Sequence, residues 1–264
     1  SPTARVAAIM AATLLLTLLV VSAAIAGSRI LAATGPIVVD QSGNGTVETI
    51  TEAVAMADDG DEILVRPGSY VEAILIDEDI TLAGDGPLED IVISAPQDAP
   101  TVTFGQGIQS FEPTYALLVD DTQAEIRWLT FAGAETAVVV DGGSPILSDL
   151  VFDDNRFGLL IGSGSTATFT DSLMSGGGGI EIADYSRPLI AGNVLRGGPS
   201  IVGSMGDGGV VRDNVLTDPV NGIALGGIAQ DEPTSALIER NTITGAGGYA
   251  ISTTTLVGAG APII

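Results

Sequence analysis

An all-β chain wound as a right-handed parallel β-helix is what this sequence predicts, and three observations carry it. An apolar pattern recurs every 21 to 22 residues through most of the second half. Each repeat holds three apolar stretches too short for helices but right for strands. Gly, Asp, Asn, Ser and Pro separate those stretches. A fixed period of that size implies stacked units, each burying its face only against its neighbours.

The anchors of the repeat are Phe131, Phe152, Met174, Leu195, Leu216 and Ile243, spaced 21, 22, 21, 21 and 27 residues apart. Five residues before each lies a second apolar set: Ile126, Leu147, Phe169, Ile190, Val211 and Ile238. A third follows six or seven residues after the anchor: Val138, Leu159, Ile180, Ile201, Ile223 and Tyr249. Two residues further come Val140, Ile161, Ile182, Leu225 and Ile251. The pattern predicts about nine coils starting near residue 37, with the six anchors in one buried column. The longer last spacing places an extra turn loop at Gly226 to Thr234.

Composition agrees and excludes much else. The chain has 264 residues, 45% of them hydrophobic, with 35 glycines and 4% aromatics. Such a chain suits a core of stacked Ile, Val and Leu closed by tight turns, and argues against disorder. Its 33 acids face nine arginines, with no lysine and no histidine, for a net charge of −24. That charge is hostile to nucleic acid, whose binding rests on cationic neutralisation of phosphates, so no nucleic-acid partner is expected. It fits solubility or a saline habitat. With no cysteine and no histidine, thiol and iron–sulfur chemistry, a Ser-His-Asp triad and a His-ligated zinc site are all ruled out.

The N-terminus reads as a membrane signal. Val6 to Ala26 is 21 residues without a charge, enough helix to cross a hydrocarbon core of about 30 Å. Two readings stay open. Arg5 and the Ala24-Ile25-Ala26 triplet suit a cleaved signal peptide, whereas the length of the run suits a retained transmembrane anchor. Either reading makes residues 6–26 the contact with a membrane and puts the rest outside the cytoplasm. The expected division is 1–27 anchor or signal peptide, 28–36 linker and 37–264 β-helix. The opening on Ser1 without Met fits either processed initiation or a fragment lacking an upstream part, and the uncapped AGAPII at the end leads to the expectation that the natural protein continues.

A short amphipathic helix is predicted near 46–58, from Val47, Ile50, Val54 and Ala57 at helical spacing. Thr49-x-x-Glu52 supplies a capping box and Asp58-Asp59-Gly60 a stop. Such a helix is what an open β-helix end needs, because a bare end exposes unpaired backbone and an apolar cross-section. Short strands then follow at Ile63-Leu64-Val65, Ile74/Ile76 and Ile80/Leu82.

The stretch GDEILVRPGSYVEAILIDEDITLAGDGP resembles the opening coils of the pectin-lyase-like superfamily of right-handed parallel β-helices. The similarity is greatest to the group containing the periplasmic copper-maturation protein NosD and β-helix repeat proteins without an assigned role. RDNVLTDPVNGIAL and ERNTITGAGGYAI resemble that group's Asn-containing repeats, and the likeness spans residues 37 to 256. It implies the fold strongly and the function weakly, since enzymes, sensors and scaffolds share it.

Stacking turns sequence columns into ladders with rungs about 4.8 Å apart. Two residues before the anchors the column ends in Asn193, Asn214 and Asn241, which predicts an amide ladder at a bend. One residue earlier it reads Trp128, Asp149, Asp171, Gly192, Asp213 and Arg240. Asp149 and Asp171 on adjacent rungs could share a calcium ion or simply be solvated turn acids. Asp213 with Arg240, and Arg212 with Glu239, are expected to pair across rungs. Asp153 and Asp154 lie two rungs from Arg196. Phe104 to Tyr115 breaks the rhythm, so Phe111 and Tyr115 either fold back on the wall or face a ligand. These acids and aromatics are the candidate binding residues. No catalytic residue, resident metal or cofactor is predicted, calcium being the open exception.

Pectate lyases use calcium-binding acids with an Arg base, and pectin methylesterases use two Asp with an Arg. Neither set is matched locally here, and there is no lysine. The leading expectation is a non-catalytic extracytoplasmic binding, scaffold or sensor module with a carbohydrate or protein ligand. The alternative is a carbohydrate-active enzyme, lyase or esterase. A copper-maturation role has only Met10, Met56, Met174 and Met205 to draw on.

Overall fold

A computed structural model describes residues 35–105, 110–227 and 236–255. The expected anchor at 6–26, most of the linker at 28–36, most of the loop at 226–234 and the last nine residues lie outside them. Among the described residues no helix is long and apolar enough to cross a membrane. Residues from Pro36 onward belong to one compact unit.

The unit is a right-handed coil of three parallel sheets. The first sheet has nine strands, from Ile37–Val39 to Leu237–Glu239. The second has eight, from Gly68–Val71 to Thr242–Thr244, and the third has eight, from Ile74–Ile76 to Ile251–Thr255. Eight turns are therefore complete, and Ile37–Val39 adds a ninth strand to the first sheet only, against the nine coils expected.

The repeat fixes the register. Phe131, Phe152, Met174, Leu195, Leu216 and Ile243 pair successively in the second sheet, and Tyr70 and Ile93 extend the column upstream. Ile126 through Ile238 form the matching column of the first sheet. Phe131 stacks on Phe152 with ring centroids 5.6 Å apart, and Phe152 meets Phe169 edge-on at 5.7 Å. One assignment is corrected. Ile251, not Tyr249, continues the third-sheet column below Ile223, and Tyr249 is 71% exposed. Ile251 comes eight residues after Ile243, against six or seven for its counterparts after the earlier anchors, so the apolar residue at the expected offset falls in a turn.

Each corner carries a column of left-handed backbone. After the first sheet it runs Trp128, Asp149, Asp171, Gly192, Asp213 and Arg240, with φ between 53 and 72°. After the second it runs Gly133, Asp154, Gly176, Gly197, Asp218 and Gly245, with φ between 50 and 69°. Gly, Asp and Asn adopt this conformation at the least cost, which is why acids and glycines recur every 21 residues. Beside the first corner the Asn column is hydrogen-bonded rung to rung. Asn214 Oδ1 accepts from Asn193 N and Nδ2, and Asn241 Oδ1 accepts from Asn214 N and Nδ2, all at 2.9–3.0 Å.

The helix is shorter than the periodicity predicts, Ile50–Val54 rather than 46–58. Thr49 Oγ1 accepts from Glu52 N at 3.2 Å, and Glu72 on the next coil accepts from Ile50 N and Thr51 N at 3.1 and 2.8 Å. A five-residue helix held by a neighbouring carboxylate is enough to bury Ile50 and Ala53 against the first strands.

Candidate functional site

Of the expected site residues, Asp149 and Asp171 stand on adjacent rungs of the first-corner column, as the pairing of Ser148 with Thr170 requires. They edge a groove of about 460 Å3 with Trp128, Val151, Leu173 and Arg196. Trp128 is 49% exposed. Among the described residues no group of three or more acids is gathered as a metal would need. Asp153 ends a second-sheet strand and accepts from Ser175 Oγ at 2.8 Å, while Asp154 is an exposed member of the second left-handed column. Arg196 shares Asp153's column two rungs away.

The predicted pairing of Arg212 with Glu239 is not the one formed. Those residues are register partners, but Arg212 Nη1 lies 2.8 Å from Asp213 Oδ2, and Glu239 pairs with Arg240 at 2.6 Å. Asp213, raised on the corner, collects Arg240 at 2.7 Å as well. The two guanidiniums hold its carboxyl down to about 2.

The break at Phe104 to Tyr115 is an excursion between a second-sheet and a third-sheet strand. Its arms pair antiparallel, Thr101 with Thr114 and Phe104 with Phe111. They lie over the outward face of the third sheet, where Phe104 and Tyr115 pack on Leu118, Val139 and Leu160. Phe111 meets Phe104 and Phe157 at centroid distances of 5.6 and 5.5 Å. Phe111 and Tyr115 thus turn onto the wall, and Tyr115 is buried.

Where this cover stops, a groove opens. The outward column reads Leu118, Val139, Leu160, Glu181, Val202, Ala224. Three aliphatic rungs lie under the excursion, and the fourth is a carboxylate. Glu181 is half-buried with no hydrogen-bond or ion partner among the described residues, and burial raises its carboxyl above the ordinary glutamate range.

The local backbone shapes this groove. The strand Ile180–Ser186 slips register against Ile201–Met205 between Ile182 and Ser186. Asp184 and Tyr185 at that bulge have φ of 53 and 55°. Bulges re-aim side chains, and a bulky residue in left-handed backbone marks a strained position. Tyr185 is left 43% exposed. Gly203, the register partner of Ile182, has φ 124°, and a Cβ there would lie 2.0 Å from Ile182 O. The resulting hollow of about 590 Å3 is lined by Phe104, Glu181, Asp184, Tyr185 and Ser204 and reaches Ala224 and Gly226. None of its described lining residues is an arginine. A concave site with one perturbed carboxyl and two aromatic rings is the molecule's strongest candidate.

Phe104 opens the stretch where the rhythm breaks, but none of Glu181, Asp184 or Tyr185 stood out in the sequence. The available signal was the outward column itself, where Glu181 is a single acid among Val139, Leu160, Val202 and Ala224.

Residues 115–258 match the family described as the right-handed beta helix region. The chain belongs to the right-handed β-helix family. No curated protein matches it in sequence. Among solved structures, pectin methylesterase PemA from Erwinia chrysanthemi superposes with a TM-score of 0.58 at 14% identity, covering 83% of this chain and 80% of that one. A rice weevil pectin methyl esterase gives 0.54 at 12% identity, covering 82% and 80%. At such identities the likeness to these pectin methylesterases is one of fold.

Proposed function

We propose that this β-helix is a non-catalytic binding module that works outside the cytoplasm, delivered or tethered by residues 6–26, and holds a short run of a linear carbohydrate. The observation that carries the reading is the Glu181 groove. Its lining crosses the rungs of Glu181, Ser204 and Ala224, about 10 Å of wall at the usual strand spacing. Tyr185, 43% exposed, supplies a flat apolar face for a sugar ring, the buried Phe104 closes the wall beside it, and Glu181, Asp184 and Ser204 supply hydroxyl partners. Ester hydrolysis of the kind the family resemblance implies uses paired carboxylates with an arginine. Here the carboxylates lack the cation that would stabilise a developing oxyanion.

The raised Glu181 carboxyl favours one rival, general-acid cleavage of a glycosidic bond. A single assay separates the two. Affinity electrophoresis against a panel of soluble polysaccharides should show retardation that Tyr185→Ala abolishes, with no reducing ends or methanol released. Product release that Glu181→Gln eliminates would replace the binding reading with the enzyme.

A further inference from the structure

We infer that the Glu181 groove selects sugar chains bearing free amino groups, and that it rejects the uronate polymers expected from its fold. The inference rests on the reading of the groove as a carbohydrate site and names the ligand class.

The charge arrangement carries the argument. Glu181 and Asp184 both line the groove, and no described lining residue is cationic. Asp184 has one weak contact, a 3.4 Å bond from Ser163 N, and Glu181 has no partner among the described residues. A half-buried carboxylate without a partner is costly, and an ammonium group entering the groove relieves that cost. A uronate would bring another carboxylate beside two others with no cation to offset it. The chain's net charge of −24 reinforces the choice by repelling polyanions and concentrating cations.

The rings act in the same direction. Tyr185, 43% exposed, lines the same hollow as the two carboxylates, and the buried Phe104 closes its wall. Aromatic faces attract ammonium groups through their quadrupoles, and more so where water is thinned out. They also take the apolar face of a pyranose, which a free polyamine does not offer. Tyr185, left-handed at φ 55°, occupies the corner position that Gly143 and Gly164 hold on the two rungs before, so a ring stands there where those rungs carry no side chain.

Isothermal titration of the intact protein with four probes tests this: glucosamine hexamer, N-acetylglucosamine hexamer, galacturonate hexamer with and without calcium, and spermidine. Glucosamine hexamer should bind at least about tenfold more tightly than its acetylated counterpart, since a lost ion pair and cation–π contact are each of that order. Glu181→Gln with Asp184→Asn should erase most of that preference while circular dichroism and melting show a folded protein. Equal affinity for the two hexamers would overturn the amino selectivity and leave the carbohydrate site standing. Galacturonate binding, with or without calcium, would do the same. Spermidine binding as tightly as glucosamine hexamer would show that charge alone is read and no sugar is needed. Binding of none of the four would overturn both the selectivity and the carbohydrate reading.

Discussion

Asn214 lies one rung beyond Asn193, and its single Oδ1 receives two hydrogen bonds from it, one from the backbone N and one from Nδ2, each 3.0 Å long. Asn214 Nδ2 in turn donates to Ile190 O at 2.9 Å. One side chain therefore satisfies three buried backbone and amide groups at a corner where the strands cannot. Asn214→Ala should cost about 2–4 kcal/mol, the penalty of leaving such groups buried and unpaired. Urea denaturation followed by circular dichroism measures it, and a cost below about 0.5 kcal/mol would show that water replaces the amide.

Asp213 and Arg240 give a pH signature. The carboxyl is held at about 2, below its ordinary 3.8, mainly by the hydrogen-bonded Arg240. A depressed carboxyl contributes stability that is full above its unfolded value and lost as pH falls toward the folded one. The melting difference between wild type and Arg240→Ala should therefore be constant from pH 7 to about 5 and vanish between about 4 and 2. Raised salt should shrink it, because both groups face solvent. A difference that persists at pH 2 would mean that Arg240 acts through packing.

Glu181 behaves in the opposite sense. Its carboxyl is raised by burial, so the folded state prefers it protonated and stability declines as pH rises past its unfolded value. Glu181→Gln should melt higher than wild type at pH 7, with the two curves converging toward pH 4. A variant that melts lower at pH 7 would point to a stabilising partner for the carboxylate.

Gly162 holds the excursion in place. A Cβ at Gly162 would stand 3.0 Å from Phe104 Cε2, closer than real contacts allow without movement of the ring. Gly162→Val should lift Phe104, loosen residues 101–116 and speed limited proteolysis there several-fold, while hydrogen exchange in the second-sheet strands stays unchanged. Unaltered proteolysis would mean that the excursion is fixed by Phe111 on Phe157 alone.

The coil was legible because its physics repeats. Each rung must place an apolar residue at Phe152's position and a Gly, Asp or Asn near Asp149's and Asp154's, and a period appears as soon as those demands recur. Tyr249 was misplaced because the turn after Ile243 runs longer than the turn after any earlier anchor. The groove obeys the period only in part. It arises because an excursion over Leu118, Val139 and Leu160 ends one rung short of Glu181, and because Tyr185 stands at a left-handed corner position that Gly143 and Gly164 occupy on the rungs before. The excursion belongs to one rung and has no counterpart in the repeat, whereas the corner recurs and only the bulky residue on it is new. Asp149 and Asp171 drew notice for the converse reason, since acids at a recurrent left-handed corner are what the backbone alone would select.

Apart from the slip between Ile182 and Ser186, the constant register makes the wall a ruler. Whole rungs can be duplicated or deleted without disturbing either neighbour, because each strand sees only the one before and the one after. The length of open wall is thus set by how many rungs follow the aromatic cover, whereas its chemistry is set by the outward residue on each. Length and selectivity can evolve independently on this scaffold, the first by gene duplication and the second by point substitution.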